Sequence, residues 1–130
     1  MQVGIEYGHG RLMAQRLPPE ATDRLDAPEG TLRIGYVLPD PLNQAPPVRT
    51  TLLADVSPAR TSVRIEIDEG MRVHFVRQAP GREPADVDVD VAPLRGATRL
   101  HFWCVWSPTA MTLHVVDRDE PTRTVTGSLP

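Results

Sequence analysis

Four sets of side chains in this 130-residue chain are candidates for binding or reaction: an indole between imidazoles, a row of carboxylates, a single thiol and a few hydroxyls. The first set lies in Leu100-His101-Phe102-Trp103-Cys104-Val105-Trp106, which Ser107-Pro108-Thr109-Ala110 separates from Met111-Thr112-Leu113-His114-Val115-Val116-Asp117. Strand alternation puts His101, Trp103 and His114 on one face, where the indole can stack on a sugar ring or an apolar partner and the imidazoles can hydrogen-bond. Asn43 and Gln44, in a Pro-rich loop, add amide side chains to such a ligand-binding site. The competing reading is structural: the face is covered by the N-terminal segment or another sheet, and its histidines are satisfied internally.

The other sets lead away from catalysis. His101 and His114 lie diagonally on adjacent strands, but zinc requires a third and usually a fourth ligand, and Cys104 points to the opposite face. No His-x-His pattern of a cupin-type metal site occurs. Asp86, Asp88 and Asp90 recur at alternate positions, so their side chains stand about 6.5–7 Å apart on one face, too far for neighbours to chelate one ion. The glycine and glutamate of an EF-hand loop are absent, and the row reads as the charged face of an edge strand, which discourages edge-to-edge aggregation. Cys104, between Phe102 and Trp106 on the apolar face, reads as a core thiol rather than a nucleophile. Ser57 and Ser62 lack a nucleophile-elbow context, and Gly8-His9-Gly10 is not followed by a phosphate-binding pattern. The expectation is a protein with no catalytic residues, no metal and no cofactor.

Composition narrows the classes further. All 14 basic residues are arginine; a chain without lysine has no P-loop lysine and no Schiff-base chemistry, pyridoxal phosphate included. Its net charge of -3 gives no footprint for nucleic acid. With Cys104 alone there is no internal disulfide, which suits a reducing compartment. The N-terminus has neither a basic n-region nor an apolar h-region, and no run is long enough to span a bilayer, so the expected location is soluble and cytoplasmic, away from membranes. Abundant Ala, Pro, Val and Arg with a single asparagine give the chain the look of a high-GC bacterial genome.

All of these side chains are carried on, or between, strands. Fourteen prolines and nine glycines interrupt the chain at the rhythm of an all-β sandwich or barrel. We read one domain over 1–130: an N-terminal hairpin over 1–17, a connection over 18–30 whose only short helix is 20–25, and a sandwich core over 31–126. Its strands fall at 31–38, 48–56, 62–67, 71–78, 86–91, 100–106, 111–117 and 122–126. The four-residue turn sets the phase of the 100–117 hairpin, with Trp106 opposite Met111, Cys104 opposite Leu113, Phe102 opposite Val115, Leu100 opposite Asp117, Trp103 opposite His114 and His101 opposite Val116. One face is then apolar and the other mixed.

The succession Gly30-Thr31-Leu32, Thr51-Leu52-Leu53-Ala54, Arg99-Leu100-His101-Phe102, Trp106-Ser107 and Leu113-His114-Val115-Val116-Asp117 resembles the concanavalin A-like or laminin G-like jelly-roll superfamily over about 30–126. The chain is short for that superfamily, has Asp117-Arg118-Asp119 where an Asp-Gly is usual, and offers no calcium loop. The resemblance implies an antiparallel jelly-roll sandwich and a lectin-like, non-catalytic binding module taking a carbohydrate at His101, Trp103, His114, Asn43 and Gln44. The alternative is a protein-interaction module, a homo-oligomer or a subunit of a larger bacterial complex, that uses the same mixed face or the Pro-rich loop.

Overall fold

A computed structural model of the chain describes residues 2–4, 17, 19–38 and 40–129. The strands are β1 (Gln2–Gly4), β2 (Gly30–Val37), β3 (Thr50–Val56), β4 (Ser62–Ile67), β5 (Arg72–Gln78), β6 (Ala85–Asp90), β7 (Arg99–Trp106), β8 (Met111–Asp117) and β9 (Thr124–Leu129), with a helical turn, α1 (Pro19–Thr22), and a 3-10 turn at Ala92–Leu94. They form two sheets, ordered β1-β2-β7-β8-β9 and β3-β4-β5-β6. All pairings are antiparallel except that of β1 with β2, which is parallel. The chain is therefore nearly all-β, and its sheets pack as a sandwich. It crosses into the second sheet after β2, stays there for four consecutive strands, and returns beside β2 as β7.

Period-2 alternation explains these elements. In β7 and β8 the buried side chains are Leu100, Phe102, Cys104, Trp106, Met111, Leu113, Val115 and Asp117, and the positions between them along each strand are half-exposed. The hairpin register is the expected one at all seven pairs, Leu100 with Asp117 through Trp106 with Met111. Ser107 fixes that phase: its amide donates to the Ala110 carbonyl at 2.9 Å, and its Oγ accepts the amides of Thr109 and Ala110. Val63, Ile65, Ile67, Val73, Phe75, Val87 and Val89 supply the facing layer. Tyr36 packs on Phe102 and Phe75 on Trp106, with ring centroids 6.2 and 6.3 Å apart.

Differences from the sequence expectations have local causes. A bulge between Thr51 and Leu53 turns both Leu52 and Leu53 into the core, which simple alternation forbids. The last strand begins at Thr124 rather than 122 because the buried Asp117 organises the preceding turn. Its Oδ1 accepts the amides of Asp119 and Glu120, and its Oδ2 meets Arg123 Nη1 at 3.1 Å. The strand runs on to Leu129 because it follows β8 as far as Met111. Ala21 and Leu25 of the expected short helix are buried, although the regular turn is only Pro19–Thr22. The expected N-terminal hairpin falls mostly on residues outside the described ones. Among the described residues no helix is long and apolar enough to cross a membrane.

Candidate functional site

The outer face of the first sheet is a grid whose rows follow from the strand pairing. One row is Thr31, Val105, Thr112 and Ser128; the next is Arg33, Trp103, His114 and Thr126; the third is Gly35, His101, Val116 and Thr124. None of these is acidic. Trp103 sits half-buried near the middle, where β2 and β8 flank β7. Arg33, its direct partner on β2, lies across it with the guanidinium carbon 3.6 Å from the ring centroid, a cation–π stack. His101 and His114 meet the indole edge-on, at centroid distances of 6.0 and 6.3 Å and interplanar angles of 67° and 82°.

The polar atoms around the indole are unequally satisfied. His114 Nδ1 is 2.8 Å from Thr126 Oγ1 on β9. By contrast His101 Nε2 and Arg33 Nε are buried without a hydrogen-bond partner. Burial, reinforced by the nearby charges of Arg33 and Arg118, holds the His101 imidazole below its ordinary pKa, so the neutral ring is the form present at pH 7. The arrangement can stack on a flat or apolar group and exchange hydrogen bonds with it.

The second sheet's outer face is closed by its own charges. Arg49 Nη2 contacts Glu66 Oε1 at 2.8 Å, Arg72 Nε contacts Asp88 Oδ2 at 2.7 Å, and Arg64 approaches Glu66 at 3.7 Å. His74 lies nearly buried between two carboxylates, Nε2 2.7 Å from Asp68 Oδ2 and Nδ1 2.9 Å from Asp86 Oδ1. Asp86, Asp88 and Asp90 all lie on the edge strand β6, and the first two pair with His74 and Arg72.

Cys104 is fully buried, and burial pushes its thiol far above the ordinary range. Ser57 Oγ donates to Asp26 at 2.6 Å and accepts the Thr61 amide, a turn-closing role. Among the described residues no group of three or more His, Cys, Asp or Glu side chains could hold a metal ion. No protein-family model, curated protein or solved structure matches this chain.

The structure thus brings His101, Trp103 and His114 together but leaves Asn43 and Gln44 elsewhere. Those amides line a cavity at the end of the sandwich, with the inward-facing Leu100. Arg33 is the residue that sequence reasoning missed. Its outward phase on β2 between Leu32 and Ile34 was readable, but its place over Trp103 depends on β2 pairing with β7, which no local signal announces.

Proposed function

We propose that this protein is a non-catalytic recognition module acting through the outer face of its five-stranded sheet, centred on Trp103, and that the occupant is the surface of another protein chain, with a second copy as the first case to test. The observation that carries this is the contrast between the two outer faces. The second sheet pairs its charges internally, whereas the described rows around Trp103 lack carboxylates and combine an indole, a guanidinium, two imidazoles and Val105 and Val116. Trp and Arg dominate the energetics of protein interfaces, where acidic residues and lysine are depleted.

Carbohydrate recognition is the second reading, and the concanavalin A-like jelly roll belongs with it. It is supported by the two-sheet sandwich and by an aromatic on a rigid strand. Arg33 over the indole weighs towards a protein, since a sugar must displace the guanidinium from the ring it would stack on. A cytoplasmic, bacterial setting suits the lone buried thiol and the lysine-free composition, and is part of the same proposal.

Light scattering on a concentration series decides between the readings. A mass rising above 14.4 kDa is expected, with Trp103→Ala returning the protein to the monomer while its far-ultraviolet circular dichroism is unchanged. A tryptophan emission shift with one sugar of a panel, abolished in Trp103→Ala, would move the assignment to carbohydrate. Trp106 is buried in the core and serves as the constant background. A strictly monomeric protein that no sugar perturbs overturns the self-association and the carbohydrate readings of this face.

A further inference from the structure

The sandwich has two differently finished ends. At one, Trp106 donates from Nε1 to the Ala27 carbonyl at 2.9 Å with Arg77 above its ring, and the two recesses beside it, of about 590 and 610 Å³, are lined by charged side chains, among them Asp23, Arg24, Asp26, Arg77, Arg82 and Glu83. At the other, where β2 and β4 end and β3, β5 and β7 begin, the core residues are closed to solvent and form the floor of a recess beneath the loop after β2. A cavity of about 340 Å³ lies there, walled by Leu38, Leu42, Leu52, Ile67, Val73 and Leu100. Five of these, Leu42, Leu52, Ile67, Val73 and Leu100, are core residues, so the cavity borders the hydrophobic interior. Apolar walls give water few partners, and an engineered cavity of roughly 150 Å³ with similar walls takes benzene.

The loop over this cavity is tied down at both sides. The Leu42 amide donates to the Ala97 carbonyl and the Gly96 amide donates to the Leu42 carbonyl, each at 2.8 Å, while Arg49 clasps Glu66. Between these anchors Asn43 and Gln44 are exposed and, with Asp40, form the polar part of the lining. Asp40 is the only charged group among the described lining residues; no arginine or histidine is there. The Asn43 and Gln44 amides can donate or accept, so the discrimination rests on Asp40: a carboxylate or phosphate finds no counter-charge and one repulsive neighbour, whereas a donating or cationic group finds a carboxylate.

We infer that this cavity is a binding site for a small amphiphile with a single-ring or short branched apolar body and a donating head, an amine or an alcohol. The site is independent of the Trp103 face. Pockets of about 300–1,000 Å³ with apolar walls and a few placed polar groups are the usual form of small-molecule sites, and this one falls at the small end.

Methyl-detected NMR on the intact protein tests this with three probes of equal bulk: 2-phenylethylamine, 2-phenylethanol and phenylacetate. The expected result is saturable shifts of the Leu52, Ile67, Val73 and Leu100 methyls with the amine and the alcohol, with phenylacetate at least tenfold weaker and Leu113 and Val115 unmoved. Asp40→Asn, on an exposed residue, is expected to bring the amine and phenylacetate within threefold of each other. No saturable shift at these methyls with any probe overturns the site. Equal binding of phenylacetate to the unaltered protein overturns its assigned head-group chemistry. Shifts confined to Val105 and Val116 would overturn it in favour of the Trp103 face.

Discussion

Two glycines are held by what their missing side chains would strike. A Cβ at Gly30 would lie 2.5 Å from Trp106 Cζ2, in the ring that plugs one end of the core. A Cβ at Gly127 would run into the Asp88 carbonyl, because β9 passes the backbone of β6 where the two sheets close on each other. The two obstacles differ in stiffness. Trp106 is pinned through Nε1 to Ala27, so the indole cannot swing away without losing a bond, but a backbone carbonyl in a strand can give even less. Gly30→Ala is expected to cost about 1–3 kcal/mol, in the overpacking range, and Gly127→Ala at least as much. Urea denaturation measures both; a variant within about 0.5 kcal/mol of the parent would show that its strand end relaxes freely.

Among elements, β5 carries the clearest electrostatic device. His74 faces Asp68 from the β4–β5 turn and Asp86 from β6, with Asp88 and Glu66 as its cross-strand neighbours and Arg49 and Arg72 nearby. Burial alone would lower its pKa; hydrogen bonds to the two carboxylates overcome that and raise it above the ordinary 6.5. A raised base stabilises the fold fully below its unfolded pKa and loses that contribution as pH rises through its folded value. Burial opposes ionisation of Asp68 too, but the His74 bond and the amides of Arg72 and Gly70 lower its pKa, so its contribution disappears as pH falls through the folded value. His101 works with the opposite sign to His74, since its pKa is depressed, and the difference between parent and variant is what isolates the clamp. His74→Gln is expected to cost about 2 kcal/mol at pH 6 and clearly less at pH 9 by urea midpoint; a cost independent of pH would show that the ring acts only by packing. This clamp also marks the limit of what the sequence disclosed. Alternation marks β2, β4, β5, β6, β7 and β8, whereas β3 and β9 are marked only by the turn residues around them, and the turn at Ser107 makes the β7–β8 register legible in the sequence. Neighbourhood across the sheets was not readable: Arg33 over Trp103 and His74 between two aspartates depend on strand order and on a turn side chain reaching back, neither of which leaves a periodic trace. The bulge that buries Leu52 and Leu53 together was hidden for the same reason, since a one-residue insertion looks locally like a lapse in the pattern.

Across the whole molecule, the sheets meet through one continuous core, and Cys104 reports on it. The thiol sits on β7, with β2 and β8 flanking its strand, and is fully buried in the layer between the sheets. Only two connections carry the chain between the sheets, β2 to β3 and β6 to β7, so separating the layers breaks few chain constraints but exposes most of the core at once. Reaching Cys104 therefore requires cooperative opening rather than fraying of one strand. The thiol is further suppressed because burial holds it protonated, and the thiolate is the reacting species. Labelling by an aromatic disulfide reagent at neutral pH is expected to be slower than in the unfolded chain by at least about 10³-fold, the factor that roughly 5 kcal/mol of stability imposes. The rate should climb with urea along the slope of the global unfolding transition. Rapid labelling with little dependence on urea would mean that β7 opens locally, and the strand that carries both Cys104 and Trp103 would then be a mobile element instead of the rigid support the proposed interface requires.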